Sequence, residues 1–368
     1  MRILYIFFIS IVLYSCQQKQ ETSEKNEADT VTTPNTDTLK YEQEKHLLNV
    51  QMLTNGGENA EAYWSFDNQK FTFQRTDSEH GIPCDQIYYW DLKNGSLLEK
   101  EPSLISTGKG RTTCAYFMPG DTSILYASTH ISGDACPEAP PRKKGEYYWP
   151  IYSTFDIFVS NLNGKIINQL TNAKGYDAEA TVSPKGDLIV FTSDRSGDLE
   201  LYTMDMNGKN VKQITNELGY DGGAFFSPDG TKLVFRASRP KSDEEKKKYK
   251  DLLKKGLVAP SAMEIFVCNV DGTDLKQITQ LGKANWAPFF HPSGNKILFS
   301  SNHASQREYQ FNIYMINLDG TGLEKITHDE TFDAFPMFSP DGKKLLFASN
   351  RFNGGTRSTN LFMADWID

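Results

Sequence analysis

Two sets of side chains in this sequence could do chemistry together. One is acidic or amide-bearing: Asn59, Asp177, Asp221, Asn285 and Asp333, with Glu61 and Glu179 two residues beyond two of them. The other is cationic or imidazole-bearing: His130, Arg195, Arg239, His303 and Arg351, joined by Asp77. Carboxylates converging on one point offer hard oxygen ligands, the donor type that suits Ca²⁺. Gathered arginines and histidines could hold an anionic ligand, a carboxylate or the acid of a polysaccharide. The same arginines could instead neutralise the acids in a belt of ion pairs. His130 and His303 stand where the pattern otherwise carries arginine, which points to them as site residues. The sequence holds no Gly-x-Ser-x-Gly elbow, no His-Glu-x-x-His, no Cys-x-x-Cys and no phosphate-cradling glycine loop.

What must position these residues is a repeat. Tyr63-Trp-Ser-Phe-Asp-Asn68, Thr181-Val-Ser-Pro-Lys-Gly186, Phe225-Phe-Ser-Pro-Asp-Gly230, Phe289-Phe-His-Pro-Ser-Gly294 and Met337-Phe-Ser-Pro-Asp-Gly342 are copies of one turn, and Tyr116-Phe-Met-Pro-Gly120 is a sixth, degraded one. Proline presets φ there and glycine accepts positive φ, so the chain reverses tightly. A doubly apolar strand follows, such as Lys232-Leu-Val-Phe235. A third strand then runs to Asn-Gly or Asp-Gly, a strong hairpin signal, as at Asn207-Gly208 and Asp271-Gly272. A fourth strand closes on a Leu/Ile-Thr pair: Leu170-Thr171, Ile214-Thr215, Ile278-Thr279, Ile326-Thr327. Spacings of 44 residues (Ser183 to Ser227) and 48 (His291 to Ser339) match a four-stranded propeller blade. The last copy stops after its third strand, Asn360–Ala364, and the missing fourth strand lies at the other end as Leu47–Thr54. The expected fold is therefore all-β, a six-bladed β-propeller whose N-terminal strand closes the last blade and removes exposed sheet edges.

This unit resembles the TolB-type propeller repeat over residues 47 to 366. The resemblance implies a binding propeller that uses one face to engage an envelope lipoprotein. Oligogalacturonate lyases are similar in placing histidines and a metal in a propeller funnel. The two functions weighed are thus a non-catalytic propeller binding a protein partner or oligosaccharide, and a metal-assisted polysaccharide lyase or hydrolase.

In the repeat map both residue sets fall on one face, at the mouth of the central channel. Two insertions of about 20 residues rise between second and third strands on that face. The first, 131–154, carries Tyr147-Tyr-Trp149 and Tyr152 among prolines. The second, 242–256, starts as a capping box, Ser242-Asp-Glu-Glu245, and predicts a short amphipathic helix ending at glycine. Long insertions on one face of a repeat ring mark its binding side.

Arg2 followed by an apolar run to Leu13, then Leu13-Tyr14-Ser15-Cys16, reads as a lipoprotein signal over 1–15 with lipidation at Cys16. Polar residues 16–44 read as a disordered tether and 45–368 as the propeller. The expected location is the cell envelope, at the periplasmic or outer-membrane face, with a monomeric chain. A net charge of −8 gives no basic field for nucleic acid. Export permits disulfides. One bridge is expected among Cys84, Cys114 and Cys136, with Cys268 a buried free thiol.

Overall fold

Each repeat folds into one antiparallel sheet of four strands. The structure, a computed structural model, describes residues 38–141 and 147–368. Blade 1 comprises Glu58–Trp64, Lys70–Asp77, Ile82–Asp91 and Ser103–Leu104, and blade 2 Thr112–Phe117, Ser123–Ser128, Asp156–Asn161 and Ile166–Gln169. Blade 3 comprises Asp177–Val182, Leu188–Ser193, Glu200–Asp205 and Lys212–Gln213, and blade 4 Asp221–Phe226, Lys232–Ser238, Met263–Asn269 and Lys276–Gln277. Blade 5 holds Asn285–Phe290, Lys296–Ser301, Asn312–Asn317 and Glu324–Lys325. Blade 6 takes Asp333–Phe338, Lys344–Ser349 and Asn360–Trp366 from the end of the chain, and Leu47–Met52 from its beginning.

That borrowed strand pairs antiparallel with the last one, Leu47 opposite Trp366 and Met52 opposite Phe362. The Leu/Ile-Thr pairs explain how outer strands lock to their blades. The hydroxyl of Thr171, Thr215, Thr279 and Thr327 each accepts a backbone N–H from the third strand, from Ile157, Leu201, Ile265 and Ile313, at 2.8–2.9 Å. Ser106 does the same for Ile87 in blade 1. Thr54 does it for Leu361 at 2.9 Å, so the closing strand uses the same clamp as every other blade.

The second strands are buried on both faces, with Phe71, Phe191, Phe235, Phe299 and Phe347 at zero exposure, because each sheet packs against its neighbours. Each inner strand carries a β-bulge at one equivalent place, between Ala60 and Tyr63 in blade 1 and between Ala334 and Met337 in blade 6. At the bulge sits Glu61, Cys114, Glu179, Gly223, Ala287 or Phe335, every one with φ between +45° and +60°. Five of the six are not glycine. A bulge repeated at a ring position turns one residue per blade toward the axis, five of them with a side chain.

The two insertions are joined. Trp149–Pro150 pairs with Leu257–Val258 as a two-stranded sheet, and the N–H of Ile151 donates to Gly256 O at 2.7 Å. Helix α1, Asp243–Leu253, has the expected capping box, and its Tyr249 is buried. Tyr249 donates its hydroxyl to Asp198, fixing the helix to the connection between the second and third strands of blade 3. The disulfide is Cys84–Cys136, which ties the first insertion to blade 1. Cys268 is a buried free thiol as expected, and Cys114 is free.

The signal sequence, Cys16 and most of the expected tether lie outside the described residues. From residue 38 onward the chain is not a tether. Tyr41 stacks on Phe352 at 5.8 Å and donates its hydroxyl to Asp329 at 2.5 Å. Glu44 is fully buried against Arg351. Polar composition suggested a free segment through residue 44, but Glu44 and Tyr41 find polar partners on blade 6 that composition does not reveal.

Candidate functional site

The bulge residues build the channel. A cavity of about 30 Å³, room for one or two waters, is bordered by Glu61, Cys114, Glu179, Gly223, Ala287 and Phe335, together with Arg236. The next layer along the inner strands is aromatic. Tyr63 and Phe225, from the opposite blades 1 and 4, meet across the axis at 5.6 Å, and each packs on a neighbouring blade's ring, Tyr63 on Tyr116 at 5.9 Å and Phe225 on Phe289 at 5.2 Å. Above the cavity, Trp149 of the first insertion packs on Trp286 at 5.0 Å and lies 5.0 Å from the Arg236 guanidinium. Side chains fill the axis.

The two channel carboxylates are occupied by protein. Glu179 accepts from the Tyr220 hydroxyl at 2.6 Å, the Thr192 hydroxyl at 2.7 Å, the Gly223 N–H at 3.0 Å, and Arg236. Glu61 accepts from Tyr63 at 3.2 Å and from the Cys114 thiol at 3.0 Å. Burial raises the pKa of Glu61, against the Cys114 hydrogen bond and Arg236. Burial likewise pushes the Cys114 thiol well above its usual range, so it is not an activated thiolate. The repeat map missed Arg236, which belongs to a second strand and reaches the axis only because position 223 is glycine.

The remaining predicted residues do not line the cavity. Asp177, Asp221 and Asp333 are buried between blades, where Arg195, Arg239 and Arg351 pair with them. Each arginine lies exactly one strand pair away from its acid in the same blade, 18 residues on. The guanidinium rests on an aromatic shelf: Arg195 on Phe191 and Tyr202, Arg239 on Phe266, Arg351 on Phe347 and Phe362. The expected convergence of these carboxylates on the axis is therefore corrected. The bulge at the second residue turns the axial direction over to Glu61 and Glu179 and leaves the first residue facing the neighbouring blade.

The histidines obey the same rule. His130 packs on Phe158 at 4.4 Å and bonds Ser128 at 2.8 Å. His303 packs on Tyr314 at 4.6 Å and bonds Ser301 at 3.0 Å. Each takes the arginine's shelf. Burial, then a nearby lysine, lowers the pKa of both, Lys109 for His130 and Lys283 for His303. Their 18-residue partners are uncharged, Thr112 and Asn285, so a neutral pair replaces an ion pair. In blade 1 the pair is Asn59 and Asp77, and Asp77 turns to Arg75 at 2.8 Å. The structure keeps His130 and His303 in blades 2 and 5, apart from each other. Among the described residues, no three His, Cys, Asp or Glu side chains are grouped as metal ligands would be, so the calcium expectation finds no ligand set there.

What the face with the insertions does offer is exposed apolar surface. Ile131, Tyr147, Tyr309 and Phe352 are each more than half exposed, and all stand between second and third strands.

Fold and axis together define a closed, side-chain-filled six-bladed propeller with one elaborated face. The TolB beta propeller domain family matches residues 152–248 and 258–358, more than half of the chain, and this protein belongs to that family. Among solved structures it resembles a protein assigned as TolB from Agrobacterium tumefaciens (18% identity, 85% of this chain and 91% of that one, TM-score 0.55). It also resembles TolB from Acinetobacter baumannii (17% identity, 85% and 64%, TM-score 0.52) and an oligogalacturonate lyase from Vibrio parahaemolyticus (11% identity, 86% and 93%, TM-score 0.50). At such identities these likenesses establish the fold alone. No curated protein matches the chain. No helix among the described residues is long and apolar enough to cross a membrane.

Proposed function

We propose that this protein is a non-catalytic binding propeller, anchored to the cell envelope by a lipid on Cys16, that engages a protein partner through the face bearing its insertions. The observation carrying this reading is that the acids and arginines of the repeat are paired with each other while large apolar side chains on one face stay more than half exposed. Asp177, Asp221 and Asp333 are matched by Arg195, Arg239 and Arg351, whereas Ile131, Tyr147, Tyr309 and Phe352 each keep more than half of their surface exposed, Phe352 even with Tyr41 stacked on it. Exposed aromatics over a rigid scaffold are what protein interfaces use as anchors. The solved relatives named TolB support the same reading, and an oligosaccharide is the runner-up ligand.

Capture from envelope extract tests it. The chain should retain a partner that the triple variant Tyr147→Ser, Tyr309→Ser, Phe352→Ser does not. Depolymerisation of a uronic-acid polymer, abolished by His303→Ala, would overturn it in favour of a lyase. Lipidation is read separately by detergent partition, which Cys16→Ser should abolish.

A further inference from the structure

Blade 5 departs from the repeat at three places, and the departures meet. Its acid is Asn285, its arginine is His303, and its outer strand carries Lys325 opposite Tyr314. In blades 2, 3 and 4 the residue at that last position is Gln169, Gln213 or Gln277, paired with Phe158, Tyr202 or Phe266. Each of these amides donates to the carbonyl of its own blade's threonine, at 2.7–2.9 Å. Lys325 makes no such bond, and its ammonium has no hydrogen bond or ion pair among the described residues. Because imidazole is shorter than guanidinium, space opens beside the shelf. A cleft of about 330 Å³ is bordered by Ser301, Arg307, Gln310, Asn312, Tyr314 and Lys325. Ser301 and Tyr314 are the repeat equivalents of Ser349 and Phe362, which Arg351 contacts in blade 6. Burial lowers the Lys325 pKa, while the more distant charges of Asp333 and Glu44, which are themselves paired with Arg351, oppose the shift.

We infer that this cleft binds a carboxylate side chain of an acidic peptide segment, held by Lys325 and Arg307. Two cations with amide and hydroxyl donors around them match a carboxylate. Glu330, the one acid on the rim, is placed to accept a peptide N–H. A pyranose would need an open aromatic face, but Tyr314 is 5% exposed and His303 packs on its ring. Tyr309, 68% exposed on the same connection, supplies the apolar neighbour a peptide would cover. This inference deepens the binding reading above and rests on it.

The test is titration of the full chain with Ac-Ala-Glu-Ala-NH2 and with Ac-Ala-Gln-Ala-NH2, followed by NMR. The glutamate peptide should bind at least ten-fold more tightly. Lys325→Gln, which installs the residue of three other blades and so should fold, should bring it down to the level of the glutamine peptide. Arg307→Ala, on an exposed loop, should weaken it several-fold, and Lys212→Gln in blade 3 should change nothing. Equal affinity for the two peptides, an unchanged Lys325→Gln titration, or tighter binding of trigalacturonate than of the peptide would each overturn the inference. These outcomes are read on the isolated chain. They are therefore distinct from failure to capture any envelope partner, which would overturn the binding reading instead.

Discussion

Arg236 occupies the space that a side chain at position 223 would fill. A Cβ built on Gly223 would lie 2.1 Å from Arg236 Nη1, and the backbone there has φ +60°. The absence of a side chain on one inner strand is thus what admits a cation from the second strand to the axis, where it meets Glu179. Gly223→Ala should cost at least about 2 kcal/mol, combining left-handed strain with expulsion of a buried charge from its partner. At the equivalent bulge of blade 5, Ala287 has φ +46°, and Ala287→Gly should be neutral or stabilising by up to about 1 kcal/mol. Urea unfolding of the two variants checks both signs. A Gly223→Ala protein as stable as the parent would show that Arg236 is not held as described.

The acid and base 18 residues apart behave as a unit, and the unit can be exchanged. Blade 3 uses Asp177 with Arg195 at 2.8 Å, and blade 5 uses Asn285 with His303 through Ser301. Arg195→His alone leaves a buried aspartate without its cation and should cost about 3 kcal/mol. Adding Asp177→Asn converts blade 3 to the chemistry of blade 5 and should recover most of that loss. Thermal melting of the single and double variants reads the coupling. Simple additivity would sink the pairing argument.

The ring of blades was legible because each device repeats. Turn glycines, the threonine of each Leu/Ile-Thr pair and the strand shared between Leu47–Met52 and Asn360–Trp366 are all visible as spacing. The site was less legible. Asp177 and Glu179 are two residues apart and by simple alternation face one way, but the bulge at Glu179, φ +57°, separates them. No residue type announces that bulge, since glutamate, cysteine, alanine and phenylalanine all occupy it. The ion pairs left a signal that was available: the two rings keep a constant offset of 18, and in blades 2 to 6 arginine accompanies aspartate while histidine accompanies an uncharged residue. Arg236 left none beyond Gly223 itself. The docking of Glu44 on Arg351, both fully buried, joins residues 307 apart, and nothing local in a polar segment records such a contact.

Glu200 should give stability a measurable pH dependence. It is 2% exposed, and its Oε2 is buried without a partner. Burial pushes its pKa up to about 8, with Asp221 and Asp198 adding to the shift and Thr215 and Arg239 opposing it. An unfolded glutamate releases its proton near pH 4.5. Between those values the folded chain holds a proton that the unfolded chain has lost, so raising the pH favours unfolding. This stabilisation is complete below about pH 4.5 and gone above about pH 8, with a slope of at most about 1.4 kcal/mol per pH unit. Glu200→Gln keeps the shape and removes the titration. The variant should therefore gain on the parent between pH 5 and pH 8 in denaturant unfolding. Parallel profiles would mean that Glu200 is not the group responsible.

The Cys84–Cys136 bridge spans 52 residues of sequence and joins the third strand of blade 1 to an insertion that belongs to blade 2. Closing a loop of that length restricts the unfolded chain by about 4 kcal/mol in the chain-entropy account. The bridge also limits where the first insertion can go, and that insertion carries Trp149 to its contacts with Trp286 and Arg236. Loss of the bridge should thus act twice. Cys84→Ser with Cys136→Ser should lower stability by about 3–4 kcal/mol, and it should also loosen the cover over the axis. Tryptophan fluorescence quenching by acrylamide reads the second effect, since Trp286 is 7% exposed in the intact fold. Trp149→Ala should reproduce the added quenching of Trp286 without the full stability loss, which separates the two effects. A bridge-free protein that loses stability yet shields its tryptophans as well as the parent would show that the paired strands Trp149–Pro150 and Leu257–Val258 hold the cover in place by themselves.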